Sequence, residues 1–287
     1  MTFANHGAAA LPTPAGPRSR IVTVLRFPLV RILLAAIVVS IAASGTRIIL
    51  KLLGLAPERG APHRLALILL GTVATIAVVH GAYLLYVRYV EGRSATEFAV
   101  VGAAKELGLG MLIGACIFSA VILVLVAGGW YGVAGTNPWT TALAPLLAAA
   151  GAAYVEELVV RGILFRNLED LLGSWISLAI TALLFGLAHI ANPNATLTSA
   201  LAIALEAGVL LGAAYMLTQR LWLAIGIHFA WNFVQGGIFG VAVSGNASVG
   251  VLRGELHGPE LLTGGPFGVE GSAVAVVVCL AAAVVLL

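Results

Sequence analysis

Tyr154-Val155-Glu156-Glu157-Leu158-Val159-Val160-Arg161 sets two carboxylates and a guanidinium inside an otherwise apolar part of the chain. Charge at the centre of a bilayer costs at least about 2.5–3.5 kcal/mol, so a membrane-spanning helix carrying this run must have partners for it. Consecutive helical residues point about 100° apart, which gives Glu156 and Glu157 different surroundings. Arg161 lies four residues after Glu157 and shares its face. The spacing predicts a Glu157–Arg161 salt bridge and leaves Glu156 for another partner.

The rest of the chain makes a membrane the natural setting. Of its 287 residues 61% are hydrophobic and 9% charged, with mean hydropathy +1.06, whereas a soluble domain is about 25% charged. One soluble core could not hide so much apolar surface. The apolar runs are continuous rather than alternating, which excludes a β-barrel. The expected fold is all-α, a polytopic transmembrane helical bundle. Eight stretches reach the length of a span, near 28–45, 65–87, 107–127, 139–164, 175–191, 197–218, 222–243 and 270–287. Residues 1–27 read as a polar tail followed by an uncleaved first span, and 28–287 as the membrane domain. The turn-rich piece 244–269 reads as a loop.

The net charge of +3 is too small and scattered for a nucleic-acid surface. It fits basic residues beside membrane spans. Arg18, Arg20 and Arg26 predict a cytoplasmic N-terminus, and Arg88, Arg93, Lys105, Arg161, Arg166 and Arg220 fall on the same side. The uncharged loops 128–138 and 192–196 fall outside. Arg47, Lys51, Arg59 and Arg64 run against this pattern. Cys116 and Cys279 sit in apolar runs, with neither disulfide nor zinc spacing. Gly110/Gly114, Gly208/Gly212 and Gly236/Gly240 have the spacing that lets helices approach closely.

Five more polar positions lie within predicted spans. His189 ends the fifth, in Phe185-Gly186-Leu187-Ala188-His189. If the fourth and fifth spans form a hairpin turning near Gly173, Glu156 and His189 each lie roughly 25 Å from that turn, at one depth. His228 and Asn232 share a face of the seventh span. Alone they could be interhelical hydrogen-bonding side chains; with two further polar sites at a compatible depth, they point to one constellation. His80 and Glu206 fit no such pattern. His80 reads as a hydrogen-bonded packing residue, and Glu206 stays unassigned.

Glu156-Glu157-xxx-Arg161, Phe185-xxx-His189 and His228-xxx-Asn232, in that order, resemble the motifs of the CAAX prenyl protease and bacteriocin-processing (Abi) family. Ala207-Gly208-xx-Leu211-Gly212-xx-Tyr215-xx-Thr218-xx-Leu221-Trp222-x-Ala224-Ile225 resembles the lead-in to the last motif. The likeness covers about residues 140–240. It departs at Thr218-Gln219-Arg220, where the family usually has Thr-Gly-Ser. The resemblance implies an eight-helix bundle with a cytoplasm-facing intramembrane cavity in the cell membrane, an intramembrane peptidase activity, and a peptide or membrane-anchored protein as substrate.

In that setting Glu156 is the expected general base and His189 shares its water. His228 and Asn232 are expected to bind the oxyanion, while Glu157 and Arg161 hold the geometry. No cofactor is required; zinc on Glu156, His189 and His228 is the alternative. A proton-coupled transporter would instead make Glu206 and His80 as important as Glu156. A non-catalytic scaffold or immunity factor would tolerate loss of the motifs.

Overall fold

The structure, a computed structural model, describes Val24, Leu25, residues 27–57 and residues 63–287. Most of the polar tail, with Arg18, Arg20 and Arg26, lies outside the described residues, as does Arg59. Among the described residues six helices are long and apolar enough to cross a membrane: α1 (Pro28–Leu52), α2 (Arg64–Glu91), α3 (Ala103–Ala127), α4 (Trp139–Leu172), α5 (Ser174–Ala191) and α6 (Leu197–Thr218). Two of the eight expected spans are shorter. α7 (Leu221–Phe233) continues as a wide π turn over Val234–Ile238, and α8 (Ala273–Leu286) has 14 residues. The protein is an α-helical integral membrane bundle.

The 244–269 piece is more than a loop. Its strand β2 (Leu252–Leu256) pairs antiparallel with β1 (Tyr131–Thr136), so a small ribbon joins the α3–α4 connection to the α7–α8 connection. The Tyr131 hydroxyl donates to the Phe239 carbonyl at 3.0 Å and ties the ribbon to the end of α7.

α7 is the most enclosed helix, and glycine sets its seat. A Cβ on Gly110 would overlap the Leu223 carbonyl, and one on Gly114 the Ile227 carbonyl. Gly226 meets Leu107 and Met111 of α3 in the same way. The small-residue spacing of α3 thus lets α7 lie backbone to backbone against it. Gly208 and Gly212 do the same for α6 against Ala182 and Leu178 of α5, whereas Gly236 faces Val243 and Ser248 of the loop that follows. Gly114→Val is expected to push α7 away at a cost of about 1–3 kcal/mol. Because α7 carries His228 and Asn232, the loosening should show as a lower midpoint of thermal unfolding in detergent. An unchanged protein would refute this seat.

The hairpin turns where the sequence placed it. α4 ends at Gly173, whose φ of 77° is open to glycine. Gln219, which replaces the family's usual glycine, also has a left-handed backbone, with φ 52° at the end of α6. Gly is the usual residue at that capping position, so the departure costs backbone strain rather than altering the fold.

One end of the bundle is tied by polar contacts. Arg31 Nη2 bonds Asp170 Oδ2 at 2.7 Å, which sets the N-terminal end of α1 beside the α4–α5 turn. Nearby, Arg166 bonds Glu91, Arg93 bonds both Glu91 and Glu97, and the Tyr83 hydroxyl donates to Glu97. Burial would push the Glu97 carboxyl up. The Arg93 hydrogen bonds and charge, with the Tyr83 hydroxyl, outweigh it and hold Glu97 below its ordinary value. The opposite end carries the β ribbon, the 192–196 turn and the 243–248 loop.

Candidate active site

Glu156 and Glu157 stand where α4 widens from α-helix into a π segment over Leu158–Phe165. Single wide turns inside α-helices frequently mark functional positions. α6 widens at Ala204–Gly208, and α7 two residues past Asn232.

Glu157 and Arg161 form the predicted pair. Both are fully buried, with Arg161 Nη1 donating to Glu157 Oε1 at 2.9 Å. Arg161 Nη2 donates to the Gly208 carbonyl at 3.0 Å, entering the ladder where α6 is widened. Its guanidinium carbon lies 4.8 Å from the centre of the Phe185 ring, so the motif phenylalanine packs on the motif arginine. His228 Nδ1 lies 2.9 Å from the same Glu157 Oε1. A carboxylate only accepts; with Glu157 ionised, Nδ1–H is the donor. The pair therefore orients the imidazole.

His189 is oriented by backbone. Its Nδ1 lies 2.7 Å from the Phe185 carbonyl one turn back, and a carbonyl can only accept, so Nδ1 carries the proton. Both rings thus turn Nε2 toward Glu156. Glu156 Oε2 lies 3.8 Å from His228 Nε2 and 4.0 Å from His189 Nε2. Those separations are too long for direct hydrogen bonds and suit one bridging water. Glu156 Oε2 is shut off from solvent and has no hydrogen-bond partner, although the side chain as a whole is 38% exposed. One carboxylate oxygen faces the open cleft; the other faces the imidazoles.

Two cavities meet at Glu156. One, of about 370 Å³, gathers the polar side chains of His189, His228, Asn232, Asn192, Ser244 and Asn246 beside Ala148 and Ala152 of α4. The second, of about 610 Å³, runs among α1, α2 and α4 over Leu50, Leu67, Thr72, Ala148 and Val155 and is largely apolar. A hydrolase acting on membrane-embedded chains needs water and apolar substrate at one carboxylate, and this arrangement brings a polar and an apolar approach to Glu156.

The structure thus gathers Glu156, Glu157, Arg161, His189, His228 and Asn232 from α4, α5 and α7. It leaves His80 out: His80 Nδ1 lies 2.5 Å from the Tyr154 hydroxyl, and the ring packs edge-on to Phe98. Glu206 is buried behind the site with Cys279 Sγ 3.5 Å from its Oε2. It shares a narrow inner pocket with His189, His228, Asn232 and Glu270. Asn192, Ser244 and Glu270 were not singled out in the sequence. They reach the site through loop contacts: Asn192 Nδ2 donates to the Ser244 carbonyl at 3.0 Å, and the Ser244 N–H donates to Glu270. No periodicity announces such contacts.

The cleft has a direction. Asn192, Ser244, Asn246 and Ser248 belong to the end of the bundle opposite the N-terminal end of α1. A cytoplasmic N-terminus and a cytoplasm-facing cavity therefore exclude one another. The sequence-based depth was measured from the Gly173 turn; His189, however, lies at the far end of α5, past which the cleft opens.

Among the described residues no three His, Cys, Asp or Glu side chains are gathered at metal-ligand spacing. Glu156, His189 and His228 are suitable donors for zinc, but their separations exceed the roughly 3.3 Å between neighbouring ligands of a tetrahedral ion.

Fold and site together define an intramembrane carboxylate–imidazole centre in a helical bundle. Residues 137–234 match the family described as Rce1-like: Type II CAAX prenyl endopeptidase Rce1-like. This agrees with the resemblance carried by the three motifs, and the matched family is one of proteases. The matched segment spans α4, α5, α6 and α7, and contains all six site residues. No curated protein matches the chain, and no solved structure does.

Proposed function

We propose that the chain is an intramembrane endopeptidase of the cell membrane in which Glu156 activates a water to hydrolyse a peptide bond of a membrane-embedded peptide or protein. The observation that carries this reading is Glu156 Oε2 facing two imidazole nitrogens, at 3.8 and 4.0 Å, where a polar cleft meets an apolar groove. With Nδ1 protonated, a neutral His189 ring offers its lone pair at Nε2. A water there donates to Glu156 and to His189, leaving its oxygen lone pair for attack.

The chemistry follows from these groups. Glu156 takes one proton as the water oxygen bonds to the carbonyl carbon. The oxyanion so formed accepts from Asn232 Nδ2 and from His228 Nε2. His228 donates from Nε2 only when the ring carries both protons, and Glu157, held by Arg161, is its counter-charge. Glu156 then passes its proton to the leaving nitrogen, the C–N bond breaks, and the base is regenerated. The bond cut lies toward the end of the bundle bearing the 192–196 and 243–248 segments. If the N-terminus is cytoplasmic, that end faces away from the cytoplasm.

Zinc on Glu156, His189 and His228 would supply Lewis acidity, and the Nδ1 contacts of both rings resemble those that orient metal-bound histidines. The spacing favours the metal-free form. Purified protein treated exhaustively with chelator is expected to keep its cleavage of a membrane-anchored peptide. Loss on chelation and recovery with zinc alone would reassign the three residues as ligands.

A further inference from the structure

Glu270 is a buried carboxylate in the turn Val269–Gly271, just ahead of α8, and has no place in the hydrolytic steps. It lines the inner pocket together with His189, His228 and Asn232. Its Oε1 accepts from the Ser244 N–H. Ser244 lines both that pocket and the cleft at Glu156.

Ser244 needs holding. Its φ is 46°, a left-handed backbone that residues with a Cβ rarely adopt. Its carbonyl accepts from Asn192 Nδ2 at 3.0 Å and from Asn246 Nδ2 at 3.2 Å. Around it three segments meet backbone to backbone. The Gly245 N–H donates to the Phe267 carbonyl at 2.7 Å. A Cβ on Gly245 would overlap the Pro193 carbonyl, and one on Gly268 the Ala242 carbonyl. Residues 192–193, 242–246 and 267–270 therefore make one wall, in which Glu270 is the single charged side chain.

The wall bears on the reacting groups at two points. The Asn192 N–H donates to the His189 carbonyl at 3.0 Å and closes the turn His189–Ala191. Asn192, Ser244 and Asn246 line the same cleft as Ala148, Ala152 and Glu156 of α4. Strained backbone held by several partners is a recurring feature of active sites, where it fixes groups in advance.

We propose that Glu270 is a positioning residue: by accepting from the Ser244 N–H it holds 242–246 in its left-handed turn, and so sets the wall against which the substrate main chain lies at Glu156. The proposal rests on the reading of that cleft as the hydrolytic site. Glu270 acts as an acceptor, neither as a charge nor as a proton carrier. An amide oxygen at the same place would serve, and glycine at 244 would take up the turn without it.

The test uses full-length protein in vesicles of neutral lipid and the variants E270Q, E270A, S244G/E270A and N192A. Amide hydrogen exchange over 242–246 reads the hold directly and needs no cleavage. Kinetics on a membrane-anchored peptide read its consequence. E270A should exchange about tenfold faster over 242–246 and raise KM about tenfold, with kcat within about threefold of the parent. E270Q should match the parent in both, and S244G/E270A should return KM to within about threefold. An E270Q as impaired as E270A would give Glu270 a charge or proton-transfer role and overturn the proposal. Unchanged exchange in E270A, or no recovery in S244G/E270A, would overturn it too. Should E270A not fold, N192A removes the bond on the other side of Ser244: raised KM with kcat kept is expected, and an unchanged KM would contradict the wall. Exchange that responds as expected, in a parent protein that folds but cuts no peptide, would uphold the hold and count against the endopeptidase reading instead.

Discussion

Glu156→Gln is expected to lower kcat by about 10²–10⁴-fold, the range for removing a general base, while leaving KM and thermal unfolding close to those of the parent. The amide keeps the shape of the side chain but cannot take a proton from water. Glu156 Oε2 makes no hydrogen bond within the protein, and its nearest imidazole nitrogen is 3.8 Å away. Few folded-state contacts are therefore at risk. Burst kinetics on a membrane-anchored peptide, with unfolding followed in the same detergent, separate the two effects. Full activity in Glu156→Gln would remove the base. Equal loss of folding and activity would make Glu156 structural.

Arg161→Met should be the most destabilising single change at the site. Glu157 and Arg161 are both fully buried. Deleting one partner strands the other, at a cost of about 3–5 kcal/mol, a large share of ordinary protein stability. The double variant Glu157→Leu/Arg161→Met should recover much of that stability, since an apolar pair of similar volume often replaces a buried ion pair without loss. It should not recover cleavage, because His228 Nδ1 would have lost its 2.9 Å partner. Folding restored without activity separates orientation of His228 from support of the bundle. Restored activity would mean that His228 needs no carboxylate behind it.

The parts of the site that the sequence revealed share one property: they follow from helical spacing. Glu157 and Arg161 pair because they are one turn apart. Phe185 and His189 bond because they too are one turn apart, and His228 and Asn232 line one cleft for the same reason. The hairpin through Gly173 then brings Glu156 to 4.0 Å from His189, as equal depth on antiparallel helices requires.

What stayed hidden depends on contacts without a period. The β1–β2 ribbon joins segments more than a hundred residues apart, and its Gly-rich strands lack clean alternation. Glu270 and Ser244 meet only because the α7–α8 connection folds back over the α5–α6 turn. Glu206 reads as a stray charge until Cys279 of α8 is placed against it. The direction of the cleft was hidden for another reason: charge counts orient the ends of helices but say nothing about which end an internal site opens toward.

The central claim is that three helices hold a single water between one carboxylate and two imidazoles. An experimental structure in lipid, at a resolution that shows ordered solvent and with metal identified by anomalous scattering, tests it most directly. The account predicts one water within hydrogen-bond distance of Glu156 Oε2 and His189 Nε2, beside His228 Nε2, with no metal signal. A metal ion at that point, Glu156 turned out of reach of His189, or His228 facing lipid would contradict it.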